Sequence, residues 1–382
     1  MHSLFALFAI SLLMPIKSFI GKKPPSQLRS ALEHLSSLPT YLPPEASEIQ
    51  ENAAVSLMER MQRKEVNSST SKGESILTNF VHASPANPTH ETQTVLLVHG
   101  YDSSCLEFRR LMPELASENL NVYAIDVLGW GFTQLEGIAD FGQTAKRYHL
   151  YSFWEEIMKC KPMTIVGASL GAAVAIDFAL EFPKAAKNII LIDGQALIDG
   201  SGPGQNLPNP LAKLGIKVLG SKPLRLMANK MAYFNKNEYA TEDAMNIGRL
   251  HTLQKGWDEA ALNYMKSGGY YLSNRLGEIK LPTLILWGRQ DAILDPSKYA
   301  EKFRDLIENS KLVWIEDSGH VPHLEKPRKT SKAIVDFIKV CPECNGRKLQ
   351  ECFNCEGEGF YVSYGKRVEC KACRRSGRII CR

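Results

Sequence analysis

A serine inside a short glycine-flanked run carries the clearest chemical signal in the sequence. The run is Gly-Ala-Ser-Leu-Gly at residues 167–171, with Ser169 at its centre. An apolar segment at 164–166 precedes it and an alanine-rich segment at 172–180 follows, which predicts a strand, a sharp turn and a helix. Both glycines are needed because a side chain at either place would collide with backbone in so tight a turn. We predict that this turn presents the Ser169 hydroxyl as a nucleophile.

A serine hydroxyl needs a base beside it at neutral pH, and the base needs a group that orients it. After Ser169, a strand predicted at 284–287 ends in a loop that carries Asp291, and His320 follows a strand predicted at 311–315. Nucleophile, acid and histidine in this chain order form a known hydrolytic triad. We expect Ser169 to attack an acyl carbonyl, His320 to move its proton and Asp291 to hold the imidazole.

Two backbone N–H groups are predicted to hold the oxyanion that this attack creates. They belong to Leu170, which directly follows the nucleophile, and to Tyr101, which follows the pair His99-Gly100. Gly100 lets the chain turn sharply after its strand and aims the next amide inward. We expect the His99 ring itself to be structural.

Other residues compete for two of the triad roles. Asp193 is an alternative acid, and His323 competes with His320. The chain order favours Asp291, and the glycine before His320 suits a turn that presents a side chain. Asp291 also has a structural alternative as the cap of a helix that begins near Pro296.

Alternating strand and helix patterns must position these groups. Strands are predicted at 75–82, 95–99, 122–125, 164–166, 188–192, 284–287 and 311–315, and helices at 107–117, 141–159, 172–180, 298–307 and 330–340. This alternation predicts an α/β fold with a mostly parallel central sheet and helices on both faces. Residues 195–275 instead show helical patterns, which predict a cap over the carboxyl edge of the sheet, where such folds bind ligands. The cap's apolar residues either line a pocket or pack the cap onto the body.

From about residue 95 to residue 340 the sequence resembles capped α/β-hydrolases. The resemblance is carried by His99-Gly100, by the runs at 126–131, 167–171 and 287–291, and by the run Gly-His-Val-Pro-His-Leu-Glu-Lys-Pro at 319–327. Dehalogenase and epoxide-hydrolase relatives carry aspartate at the position of Ser169. The resemblance therefore implies a serine hydrolase that cleaves an ester, thioester or related acyl bond through an acyl-enzyme, with no catalytic cofactor. The run at 129–132 together with His251 is similar to plant members, many of them plastid proteins.

Seven of the nine cysteines are concentrated at the end of the chain, as three Cys-x-x-Cys pairs and one further cysteine. They are Cys341, Cys344, Cys352, Cys355, Cys370, Cys373 and Cys381. Thiolates spaced two residues apart suit tetrahedral zinc, and disulfides in an oxidising compartment are the alternative. The repeated Cys-x-x-Cys-x-Gly-x-Gly pattern resembles the DnaJ-type zinc finger. Only the copy that begins at Cys352 is complete, since Lys348 and Arg375 replace glycines in the other two copies.

The DnaJ resemblance implies two structural zinc sites. The inner site would use Cys352, Cys355, Cys370 and Cys373. The outer site would use Cys341, Cys344 and Cys381, without a fourth ligand. Such a tail would also offer a contact for a protein partner.

Length and charge bound the remaining possibilities. The 382 residues carry a formal net charge of +5 and suffice for one large domain and a small module. No long basic run with interleaved aromatics favours nucleic-acid binding by the body. The apolar run at 4–14 is too short to span a bilayer comfortably. It is typical of a signal peptide or, with the basic residues that follow, of an organelle transit peptide, and an ordinary N-terminus is the third reading.

These patterns predict three parts: a targeting segment and linker at 1–72, a hydrolase domain at 73–340 and a cysteine-rich module at 341–382. We expect a chloroplast location, with the secretory pathway or the cytoplasm as alternatives. The expected substrate is a small apolar ester. The alternative function is a catalytically idle scaffold that binds clients, like a chaperone, through its zinc finger.

Overall fold

The computed structural model describes residues 38–67, 75–89, 92–339, 349–351, 360–363, 366–369 and 378–380. It divides into two compact units, Met1–Lys332 and Ala333–Arg382. The apolar run at 4–14 and all seven clustered cysteines lie outside the described residues. Within the described ranges no helix combines the length and the apolar character that crossing a bilayer requires.

Eight strands of the larger unit form one sheet, in the order β1-β2-β4-β3-β5-β6-β7-β8. They are β1 (Gln62–Asn67), β2 (Ser75–Ala83), β3 (Thr94–Val98), β4 (Asn121–Ile125), β5 (Met163–Ala168), β6 (Ala186–Ile192), β7 (Thr283–Gly288) and β8 (Ser310–Ile315). The pairs β1–β2 and β2–β4 are antiparallel, and the other pairs are parallel. The prediction of a mostly parallel sheet is confirmed.

The register of the parallel strands brings their carboxyl ends to one edge of the sheet. Val98 of β3 lies opposite Gly167 of β5, and Gly288 of β7 lies opposite Ile315 of β8. β6, which ends at Ile192, lies between β5 and β7. The loops after these strands therefore meet at that edge, where the predicted catalytic residues are found.

Helices cover the sheet and fill the stretch between β6 and β7. They are α1 (Asn52–Met58), α2 (Leu111–Ser117), α3 (Gln143–Glu156), α4 (Leu170–Glu181), α5 (Asn209–Leu219), α6 (Lys222–Ala232), α7 (Lys236–Tyr239), α8 (Glu242–Arg249), α9 (Trp257–Lys266), α10 (Pro296–Leu306), α11 (Pro322–Glu325) and α12 (Pro327–Ile338). The alanine-rich α4 is buried on all sides from Leu170 to Ala179, because small side chains let it pack closely on the sheet. Helices α5–α9 are called the cap helices below.

Part of the N-terminal stretch that the sequence assigned to a targeting segment and linker is folded onto the body. Within it lie a 3₁₀ turn at Pro44–Glu48, α1 and β1. β1 has the polar sequence Gln-Arg-Lys-Glu-Val-Asn, and Val66 is its one fully buried residue. It lies at the sheet edge and pairs with β2 through backbone hydrogen bonds, so its side chains carry no alternating apolar pattern.

Candidate active site

The predicted turn around Ser169 is a strained connection between β5 and α4. Ser169 has φ 50° and ψ −119°, a region that residues with a side chain rarely adopt. A Cβ on Gly167 would lie 2.2 Å from the carbonyl oxygen of Gly171, and a Cβ on Gly171 would lie 2.1 Å from that of Val98. Both positions therefore require glycine, as the sequence predicted. Hydrogen bonds on both sides of Ser169 hold this strained conformation. Its N–H donates to the carbonyl oxygen of Ile192, and its own carbonyl oxygen accepts from the N–H groups of Ala172 and Gln195.

His320 and Asp291 form a buried pair beside this turn. Nδ1 of His320 lies 2.7 Å from Oδ2 of Asp291. The other oxygen of Asp291 accepts from the N–H groups of Ile293 and Leu294, at 2.7 and 3.0 Å. The N–H of His320 donates to Ala232 at the end of α6, at 2.8 Å. The bond to Asp291 holds the His320 ring through Nδ1, which leaves Nε2 available to accept a proton.

The pair shifts the pKa of each partner in the direction of its charged form. Burial would lower the pKa of His320, but the charge and hydrogen bond of Asp291 raise it above the ordinary value. Burial would raise the pKa of Asp291, but His320 and two backbone N–H groups lower it. Asp291 is therefore an anion that stabilises a protonated imidazole, the state that a base reaches after accepting a proton.

A cavity of about 370 Å³ connects the predicted nucleophile, base and oxyanion residues. Gly100, Tyr101, Ser169, Leu170 and His320 all line it, whereas Asp291 lies behind the His320 ring. The predicted groups thus come together from three loops at one edge of the sheet.

The two predicted oxyanion donors lie where their N–H groups are free to bind. Leu170 is the first residue of α4, where the helix leaves its N–H groups without internal acceptors. The N–H of Gly100 donates to Oε2 of Glu107 at 2.9 Å, which fixes the peptide group between His99 and Gly100, one residue before the Tyr101 N–H. Within residues 92–339 neither the Leu170 nor the Tyr101 N–H donates to a protein acceptor. His99 is structural, because its Nδ1 lies 2.9 Å from the Gly100 carbonyl oxygen and its Nε2 accepts from Val127.

Asp193 and His323, which compete for the roles of acid and base, have other partners in the structure. Asp193 accepts from the N–H of Gly288 at 2.9 Å, and its pKa is raised well above the ordinary value by burial and by the negative charge of Asp291. The pKa of Asp193 is thus shifted toward the neutral form of its carboxyl group, and the carboxylate that bonds to His320 is that of Asp291. His323 is buried away from the cavity, with Nε2 3.2 Å from Oε1 of Glu107.

Asp193, Asp291 and His320 each offer one ligand atom within 4.8 Å of the others, which is close enough to share a cation. Nδ1 of His320 already bonds to Asp291, and Oδ1 of Asp193 already accepts from the N–H of Gly288. A metal ion here would have to displace both arrangements, so the donor set fits an acid–base pair better than a metal site.

Asp102 was missed by sequence reasoning, although it directly follows Tyr101, the predicted oxyanion residue. It is buried, and it binds three cap side chains: the guanidinium of Arg225, Nε2 of His251 at 2.9 Å and Nε1 of Trp257 at 2.8 Å. Burial would raise the pKa of Asp102, but Arg225 and His251 hold it well below the ordinary value. The carboxylate of Asp102 thus anchors the cap helices to the loop after β3. This loop carries the predicted oxyanion residue Tyr101 and is called the oxyanion loop below.

Glu325 was also missed by sequence reasoning. It joins the cap to the loop that carries His320. Its carboxylate accepts from the N–H groups of Phe234 and Asn235, between α6 and α7, at 3.1 and 2.9 Å. It also accepts from the N–H of Gly319 at 2.6 Å, the residue before His320. A carboxylate so close in sequence to the predicted base was the available signal. Both missed residues have partners about 90 to 155 positions away, which no local pattern reveals.

Comparisons with known proteins assign the chain to a family. A family model described as alpha/beta hydrolase fold matches residues 93–327. An alpha/beta hydrolase domain-containing protein of Arabidopsis thaliana, VTE7, is 38% identical over 78% of this chain and 90% of its own length. Human monoacylglycerol lipase ABHD6 is 25% identical over 71% of this chain and 82% of its own length. A thermophilic esterase from Thermogutta terrifontis shares the fold with a TM-score of 0.60 at 21% identity, covering 73% of this chain and 98% of that structure. The chain is a member of the alpha/beta hydrolase family.

Proposed function

We propose that the protein is a serine hydrolase that cleaves an ester or related acyl bond through an acyl-enzyme. The observation that carries this proposal is the convergence of Ser169, on a strained turn, and His320, bonded to Asp291, at the wall of one cavity. Relatives described as a monoacylglycerol lipase and an esterase support the same class of reaction.

In the proposed reaction the Ser169 oxygen bonds to the carbonyl carbon and its proton passes to Nε2 of His320. The carbonyl oxygen becomes an oxyanion, which accepts hydrogen bonds from the N–H groups of Leu170 and Tyr101. The C–O bond to the leaving alcohol then breaks, and the alcohol takes the proton from His320. A water molecule next attacks the acyl-enzyme with His320 as base, and this step releases the acid and restores Ser169.

The cavity wall supports a neutral, apolar substrate. Its apolar side chains include Leu106, Leu219, Met245, Ile247, Leu294 and Leu324. Its charged side chains are paired with one another or with neighbours behind the wall: Asp102 with Arg225, Glu107 with His323, and Arg109 with Glu51. An anionic or cationic group on the substrate would have to disrupt one of these pairs. We propose that the cap helices act as a lid over this site.

Labelling with a fluorophosphonate probe and hydrolysis of p-nitrophenyl esters test the proposal. The wild type should be labelled, and Ser169→Ala should lose labelling and at least about 10⁴-fold in kcat. Ser117→Ala, at an exposed serine, is the matched control and should retain both. An unlabelled wild type that turns over no ester of short or medium length would contradict the proposal and favour the idle scaffold.

We also propose that the cysteine-rich tail binds structural zinc and contacts a protein partner. Strands β9 (Leu349–Glu351) and β12 (Arg378–Ile380) pair with each other, as do β10 (Phe360–Ser363) and β11 (Lys366–Glu369). Phe360 lies opposite Glu369, so the chain enters and leaves this hairpin at one end, next in sequence to two Cys-x-x-Cys pairs. That topology supports a shared metal site for Cys352, Cys355, Cys370 and Cys373.

Metal analysis of the reduced full-length chain tests this part. Zinc should copurify with the wild type and be lost with Cys352→Ser combined with Cys370→Ser, whereas Cys160→Ser should keep it. A wild type without zinc ends the proposal.

We further propose a chloroplast location. A fluorescent fusion of the full chain in plant cells tests it, and fluorescence in the secretory pathway or in the cytosol would contradict it.

A further inference from the structure

The outer face of α5 carries a stripe of exposed apolar side chains. Leu211 and Leu214 are 55% and 60% exposed, and Val218 is 37% exposed. Their spacing of three and four residues places them along one side of the helix. Ala212 and Ile216 on the other side are buried. The helix therefore packs onto the protein with one apolar face and shows water a second one.

Such a stripe indicates an external partner. Single exposed apolar side chains are common, but contiguous ones on one helix face mark a binding surface in monomeric proteins. Leu207, two residues before α5, is a further exposed apolar side chain near the stripe, at 38% exposure.

The charge of the segment that carries the stripe indicates the chemistry of that partner. Residues 200–237 contain six basic side chains and no acidic one. The basic residues are Lys213, Lys217, Lys222, Arg225, Lys230 and Lys236. Arg225 turns inward to Asp102, but the five lysines are exposed, and none of them forms an ion pair within the part of the chain that the structure describes. An apolar stripe flanked by unpaired lysines is typical of helices that lie on anionic membranes.

The stripe lies on helices that also border the cavity. Leu219 at the end of α5 lines the cavity, and α6 contributes Arg225, Ala228 and Ala232. A surface that binds the outer side of α5 would therefore lie beside the proposed reaction site.

We propose that α5 docks on an anionic lipid surface. Leu211, Leu214 and Val218 insert at the level of the acyl chains, and the lysines meet the lipid phosphates. A second copy of the chain fits the same face less well, because a symmetric contact would bring the two sets of lysines together. Docking goes beyond the proposed hydrolysis, and it would let an apolar ester pass from the lipid to the cavity.

Flotation of the full-length chain with vesicles tests the proposal. We expect binding to vesicles of phosphatidylcholine mixed with phosphatidylglycerol to be at least about tenfold stronger than to phosphatidylcholine alone, and to weaken with salt. Leu211→Ser combined with Leu214→Ser should reduce binding to mixed vesicles by about tenfold or more. Lys213→Glu combined with Lys217→Glu should do the same.

Matched controls separate docking from folding and from turnover. Leu306→Ser, and Lys184→Glu combined with Lys187→Glu, change exposed residues elsewhere and should bind as the wild type does. The α5 variants should keep the wild-type melting temperature and hydrolysis of a water-soluble short ester. Ser169→Ala should float normally, so failure of the proposed reaction and failure of docking are distinguishable.

Three outcomes would overturn the proposal. One is the absence of flotation with either vesicle, and another is equal binding to neutral and anionic vesicles. The third is a concentration-dependent dimer, seen by light scattering without vesicle binding, that the paired leucine substitutions abolish; the stripe would then be a contact between copies.

Discussion

Among the carboxylates near the proposed base His320, Asp291 has the largest effect on its pKa. Asp291 is buried behind His320 and is kept anionic by the imidazole and by the N–H groups of Ile293 and Leu294. Its charge raises the pKa of His320 against the effect of burial. Because a general base works only when unprotonated, activity should rise as pH increases through this raised pKa.

Asp291→Asn should therefore change both rate and pH dependence. Loss of the negative charge removes the preference for the correct tautomer, and we expect kcat to fall by about 10⁴-fold. The same loss lowers the pKa of His320, so the acid limb of kcat/KM should move to lower pH. A pH series of kcat/KM on a soluble ester measures both.

Asp193→Asn is the matched control for this substitution. Asp193 bonds to the Gly288 N–H and not to His320, and burial shifts its pKa toward the neutral form, so both the loss of rate and the shift of the acid limb should be much smaller. If Asp193→Asn shifts the acid limb and Asp291→Asn does not, the assignment of the acid is wrong.

At this scale the sequence predicts residues whose constraint is local. Gly167 is required by a clash with Gly171 inside the turn, so the spacing of the two glycines around Ser169 is informative. Gly171 is required by a clash with Val98 of β3, so its full constraint comes from a neighbouring strand. The choice of Asp291 over Asp193 depends on which carboxyl group bonds to the His320 ring and on the direction in which the pKa of each is shifted. Both are decided by burial and by neighbours from other loops, and both need the fold.

Among the elements, the cap helices are joined to the body by buried carboxylates. Asp102 binds Arg225, His251 and Trp257, which come from α6, from the 3₁₀ turn Leu250–Leu253 and from α9. Asp102 also follows Tyr101 directly, so the position of the cap and the aim of a proposed oxyanion donor depend on the same side chain.

Asp102→Asn should loosen the cap and disturb the oxyanion loop together. Removing the charge leaves the Arg225 guanidinium without its counter-ion in a mostly buried place, and we expect a loss of about 2–3 kcal/mol in unfolding free energy. We also expect kcat/KM to fall by about tenfold or more, since small displacements of a reacting group are costly. Urea unfolding and ester hydrolysis measure the two effects.

Asp258→Asn, on the exposed side of α9 next to Trp257, is the control and should change neither quantity appreciably. An unchanged kcat/KM in a destabilised Asp102→Asn would mean that Asp102 only holds the cap and does not influence the oxyanion loop.

Elements with an apolar pattern could be predicted, and those without one could not. β3, β5 and β7 are buried throughout, so their apolar runs are visible in the sequence. β1 and α1 were missed, because β1 buries only Val66 fully and α1 is seven residues long. Their positions are set by backbone pairing and by tertiary contacts.

Across the whole larger unit, Glu51 connects three parts of the chain. Its carboxylate lies 2.9 Å from Nε of Arg109 and 2.7 Å from Nε of Arg110, both in the body. The N–H groups of Gln50 and Glu51 donate to Asp243 of the cap at 3.0 and 2.7 Å. The segment before β1 thus ties the cap to the body, which gives it a structural role in the folded protein.

Glu51→Gln should destabilise the fold because Arg109, which is only 3% exposed, loses its counter-ion. We expect a loss of about 3 kcal/mol in unfolding free energy at neutral pH, measured by urea unfolding, and little change for the exposed Glu48→Gln.

Burial would raise the pKa of Glu51, but Arg109 and Arg110 hold it below the ordinary value. The charge of Glu51 therefore stabilises the folded protein fully above the ordinary carboxylate pKa. This stabilisation is lost as pH falls through the lowered pKa of Glu51. The difference in unfolding free energy between the wild type and Glu51→Gln should accordingly become smaller below about pH 4. A difference that stays constant down to acid unfolding would show that the charge of Glu51 does not stabilise this junction.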